Sequence, residues 1–146
     1  MSTRNTVLDG FKSCLQNITT ANGFNTNVLT VERKFLFFDK VANYPSLMVL
    51  GGPERYDDEL GPDTFSYLTI RIIGYTKDTK EPEVASSALI GDVLKCLDND
   101  SYNSFKSKMR ILDVDTDEGM IHDLSEGIAM FVLSVEVLYK FARSAP

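Results

Sequence analysis

The sequence predicts an α+β fold, a mainly antiparallel β-sheet with two α-helices packed on one face. Three observations lead there. Two segments place apolar residues at spacings of three and four, several others alternate apolar and polar residues, and the links between alternating segments are too short for the crossovers that parallel neighbours need. At 146 residues the chain has the size of one domain with one core. We expect that domain to span residues 1–146, with short flexible termini.

Between Asn5 and Ala21 the residues Val7, Leu8, Phe11, Cys14, Leu15 and Ile18 trace one helical stripe. Asn22-Gly23 follows, and glycine in the left-handed conformation closes helices. Asn27 to Val31 is short and β-prone, and Lys34 to Val41 holds Phe35, Leu36, Phe37 and Phe38, which reads as a strand. Ser46 to Leu50 reads as another, begun after Pro45 and stopped by Gly51-Gly52-Pro53. A long acidic loop is expected from Pro53 to about Asp63. Thr64 to Thr76 is the clearest strand of the first half, and both of its faces are partly apolar. A sheet covered on one side leaves its other face polar, so the second face here is expected to meet something else.

Glu81-Pro82-Glu83 starts a second helix, because proline suits the first turn and acids suit the positive end of the dipole. It runs to about Leu97, with Ala85, Ala88, Leu89, Val93, Cys96 and Leu97 as its buried stripe. Lys108 to Thr116 alternates as a strand, and a polar loop leads on to Gly127. Ile128 to Phe141 carries an unbroken apolar face of Ala129, Phe131, Leu133, Val135, Val137, Tyr139 and Phe141, the mark of a central strand.

Lysine and arginine number 15 against 21 aspartates and glutamates, a formal net charge of -6. Direct sequence-specific nucleic-acid binding, or wrapping nucleic acid as a main job, is therefore not expected, because that affinity comes largely from cations neutralising phosphates. Proteins are the expected partners. No cationic segment followed by a long apolar run opens the sequence, and the longest apolar stretch, Ile128 to Leu133, is far shorter than the roughly 20 residues that span a bilayer. The expectation is a soluble protein made in a cytoplasm, with no membrane partner. Cys14 and Cys96 both fall on apolar helix faces and are read as core thiols.

Chemistry is hard to find. The single histidine, His122, precedes Asp123 in an expected loop, and no nucleophile with a base accompanies it, so it is read as solvated. Asp113, Asp115, Asp117 and Gly119 resemble the start of a calcium loop, but the glycine arrives one place late and Leu124 stands where a bidentate glutamate should close it. Gly51-Gly52-Pro53 lacks the Lys-Ser or Lys-Thr of a phosphate loop. No catalytic residue, metal ligand or cofactor is expected, and a small hydrolase using the acidic loop is the least favoured reading. The candidate interface residues are instead Glu54, Arg55, Tyr56, Asp57, Asp58, Glu59 and Asp63 in the acidic loop, with Asp115, Asp117 and Glu118 further on.

The order of features carries a resemblance. An amphipathic helix ends at Asn22-Gly23-Phe24. Tyr44-Pro45-Ser46-Leu47-Met48-Val49 follows, then Tyr67-Leu68-Thr69-Ile70-Arg71-Ile72-Ile73-Gly74-Tyr75, the second helix, Thr116-Asp117-Glu118-Gly119, and Glu126 to Tyr139. From Val7 to Tyr139 this resembles the tail terminator family of tailed bacteriophages. The resemblance implies a structural virion protein without enzymatic activity or cofactor. It implies a homo-oligomeric ring, hexameric in the family, that caps the tail tube protein, stops its polymerisation and presents a face to a head-completion or neck protein. Its implied location is the neck region of the virion tail, after assembly in the host cytoplasm. The alternative is another neck component, a head-closure or connector protein.

Overall fold

Ser2 caps the first helix, α1 (Thr3–Leu15), by accepting a hydrogen bond from the Asn5 N–H at 3.1 Å. The computed structural model describes residues 2–37, 40–58, 62–99, 109–123 and 127–146, and of residue 58 and residues 109–123 the backbone alone. The predicted stripe is buried as expected, from Val7 to Leu15 and on to Ile18. The helix nevertheless stops six residues earlier than periodicity predicts. The Asn17 and Ile18 N–H groups turn to the Cys14 and Leu15 carbonyls, and the Asn17 side chain donates to the Ser13 and Cys14 carbonyls, which finishes the last turn. Gly23, at φ +89°, closes the separate 3-10 turn Thr20–Asn22 and not α1 itself.

Among the described residues the sheet has five strands, in the order β1-β2-β3-β5-β4. They are β1 (Thr30–Glu32), β2 (Ser46–Asp58), β3 (Asp63–Lys77), β4 (Met109–Asp123) and β5 (Ile128–Ala142). β1 pairs parallel to β2, and every other pair is antiparallel. β5 is an interior strand, flanked by β3 and β4, while the middle place falls to β3. It lies on β3 in unbroken register from Asp63 opposite Ala142 to Lys77 opposite Ile128. Gly127 turns the chain into β5 at φ +70°, with the Asp78 backbone so close that no side chain fits there.

The second helix, α2 (Pro82–Leu97), starts after Asp78, whose carboxylate accepts from the Lys80 and Glu81 N–H groups. Its buried face holds Leu89, Val93, Cys96 and Leu97 as predicted, but also Ser86 and Asp92, while Ala85 and Ala88 are only half-buried. Asp92 is buried because its carboxylate accepts from the Asn25 and Thr26 N–H groups and the Thr26 hydroxyl at 2.6 to 3.2 Å, anchoring the segment before β1. Both helices cover one sheet face. Phe11, Leu15, Leu47, Ile70, Ile72, Leu89, Phe131 and Leu133 fill the core between them and the strands. Cys14 and Cys96 are free, buried core thiols with sulfurs 3.5 Å apart.

Two predicted elements differ. Among its described residues, the predicted strand Lys34 to Val41 contains no strand, and Phe38 and Asp39 lie outside the description. Its described apolar residues Leu36 and Val41 lie on the second face of the sheet instead. Leu36 donates its N–H to the Met48 sulfur, and Leu36, Val41 and Tyr44 pack on Met48, Ile73, Tyr75 and Ile128. The apolar second face thus has a cover at one end, supplied by the chain itself. The strand predicted to end at Thr116 continues as β4 to Asp123, so His122 lies in a strand and not in a loop.

Candidate interaction surfaces

The acidic stretch predicted as a loop is for most of its length the far half of β2. Beyond a register shift between Gly51 and Glu54, which absorbs Gly52 and Pro53, β2 pairs Glu54 with Leu68, Arg55 with Tyr67, Tyr56 with Ser66, Asp57 with Phe65 and Asp58 with Thr64. Proline removes a donor, and a bulge is one of the few places in a sheet that tolerates this. The connection to β3 is only residues 59–62, so Glu59 lies outside the described residues. Asp63 begins β3.

Alternation then sorts these residues by face. Glu54 turns toward the helices. It accepts from Arg4 Nη1 at 2.5 Å and, in short hydrogen bonds, from the Ser66 and Tyr139 hydroxyls; its side chain is only 7% exposed. Burial by itself would raise the Glu54 carboxyl, but the three hydrogen bonds and the Arg4 charge outweigh it and hold the pKa below the ordinary value. Burial, then the bond to Glu54, pushes the Tyr139 phenol up. The node ties the start of α1 to three strands.

Arg55 faces the opposite side, its guanidinium 3.8 Å from the centre of the Tyr67 ring and 4.0 Å from Glu136. Tyr56 is 61% exposed and packs edge-on against Phe141, and Asp57 is exposed. Asp63 meets Lys140 at 3.4 Å. Asp115 and Asp117 stand in β4 opposite Ser134 and Val132, and Glu118 falls in the irregularity that follows. The predicted interface residues therefore form two groups. β5 separates the β2–β3 hairpin from the acidic part of β4.

A third surface escaped the sequence reading. Leu29, Phe35 and Phe37 are 59%, 43% and 66% exposed, and the two phenyl rings meet edge to face at 5.0 Å. Leu29, with Lys12, Gln16, Thr30 and Glu32, also lines a groove of about 410 Å³ along β1. The dense aromatic run is the signal for it, but by itself that run reads as a strand. Among the described residues no group of three or more His, Cys, Asp or Glu side chains could hold a metal ion, and no helix is long and apolar enough to cross a membrane. The side chain of His122 lies outside the description.

No curated protein matches the chain significantly. A family model does: the one described as Bacteriophage Tail Tube Terminator Protein matches residues 1–145.

Proposed function

The chain belongs to the bacteriophage tail tube terminator family, and from that premise we propose that it forms a ring, six copies in closed symmetry, which caps the tail tube and ends its growth. The observation that carries the reading is the extent of the match, which takes in both helices and all five strands. Its role is structural and its place is the virion tail. Its partners are the tail tube on one side and, on the other, a head-completion or neck protein. The exposed end of the β2–β3 hairpin, with Tyr56 and Asp57, supports a contact with one of them, because charge at an interface sets register and association rate.

The test is genetic and microscopic. Deleting the gene should leave normal heads beside tails that overgrow or fail to join, seen by electron microscopy. Normal tails from the deletion would sink the reading. Replacing Asp57, Asp58 and Glu59 together by Ser should leave melting within the range of scattered surface changes, about 0.5 kcal/mol, while impairing head joining or tail length. Fully infectious particles from the triple variant would remove the hairpin end from the interface.

A further inference from the structure

We propose that the two open edges of the sheet join copies of this chain head to tail, β4 of one copy lying antiparallel against β1 of the next. The inference rests on the ring reading and adds which surfaces meet. In the strand order β1-β2-β3-β5-β4, the outermost strands are β1 and β4, and among the described residues no strand lies beyond either. β4 is 15 residues long, and an open ladder of that length is a template for another chain.

Strand direction follows from the pairing. β1 runs with β2, β3 against it, β5 with it and β4 against it. If neighbouring copies keep the same sense around a closed ring, β4 of one meets β1 of the next in the antiparallel arrangement, the more favourable one.

Charge decides between the possible pairings. β4 carries Asp113, Asp115, Asp117, Glu118 and Asp123 against Arg110 alone, so two β4 edges repel. The β1 side carries Lys12, Arg33 and Lys34 against Asp9 and Glu32, and because Asp9 meets Arg33 at 2.8 Å, Lys12 and Lys34 are the cations left to face a partner. An acidic edge thus finds a basic one, and a heterologous contact of this kind closes into a ring where a β4–β4 contact would stop at a dimer. The β1 side also presents the exposed Leu29, Phe35 and Phe37 and the groove beside Lys12. Exposed apolar side chains in contact with each other, as Phe35 and Phe37 are, mark an interface.

The experiment begins with the mass of the free protein, alone and with tail tubes. Two charge-reversed variants are then compared, Lys12→Glu with Lys34→Glu, and Asp113→Lys with Asp115→Lys and Asp117→Lys, with melting as the folding control. Each variant should weaken assembly by about tenfold or more, and the chain carrying all five changes should assemble as wild type does. Independently, Glu32→Cys paired in one chain with a cysteine at Asp113, Asp115 or Asp117 should cross-link into ladders under mild oxidation, while either cysteine alone should not. A wild-type ring indifferent to both charge sets, a folded five-fold variant that stays dissociated, or dimers from Asp115→Cys alone would each overturn the edge pairing and leave the ring reading standing. A chain that is monomeric both free and on the tube would overturn the two together.

Discussion

Glu54 shows how one side chain's environment becomes a pH dependence. Arg4, Ser66 and Tyr139 all bind its charged form, so its folded pKa lies below the ordinary 4.5. A group with a depressed folded pKa stabilises the fold above the ordinary value and loses that contribution as pH falls through the folded one. Urea unfolding across pH 3 to 7 should therefore show wild type falling toward Glu54→Gln on the acid side, with the variant less stable near neutrality by about 1 to 3 kcal/mol. A constant gap over that range would mean that the charge contributes nothing. The two thiols are closed to solvent, and the hydrogen bond they share moves them in opposite directions, holding Cys96 below the ordinary thiol value. The hydrogen bond between them and burial push Cys14 up, and neither sulfur reaches solvent. Native protein should label with a thiol reagent only at the rate of unfolding, and fast labelling of either residue would contradict the packing of α1 on α2.

At the scale of elements, what local periodicity encodes was legible: both helices, the β3 and β5 strands and the interior place of β5. The end of α1 was not, because Ile18 keeps the helical spacing and stays buried although the backbone has left the helix. Nor was the far half of β2. Its charged residues read as a loop because a strand that outruns the helices above it need not look apolar, and nothing near Pro53-Glu54-Arg55 announces that Glu54 meets Tyr139, 85 positions away. Asp92 escaped for the same reason, since its partners are on another element. Of the candidate interface, the exposure of Tyr56 and Asp57 was readable, while the inward turn of Glu54 and the separation of Asp115 from the hairpin depend on strand order, which no local pattern specifies. The helix packing itself gives a direct expectation. Phe11 is 1% exposed in the middle of α1, so Phe11→Ala should cost about 3 to 5 kcal/mol of unfolding free energy. Melting within a degree or two of wild type would show that α1 does not cover the sheet as described.

For the whole molecule, the sheet is apolar on both sides and covered by different means, two helices on one and Leu36, Val41 and Tyr44 on part of the other. The edges of the sheet and the end of the β2–β3 hairpin are left outside both covers. The long β3–β5 register has a further consequence, in time. β3 is finished when synthesis reaches Lys77, but the strand it lies against begins only at Ile128, roughly 50 residues later. At roughly 5 to 20 residues per second that is an interval of about 3 to 10 seconds. Throughout it the nascent β2–β3 hairpin shows Leu68, Ile70 and Ile72 beside an unpaired edge, and a hairpin alone is marginal in water. Protease resistance in a pulse-chase should therefore appear in one step, after Phe141 has left the ribosome, and chains arrested before β5 should be degraded or held by chaperones. Stable, protease-resistant fragments ending near Asn99 would show instead that the first half folds without waiting.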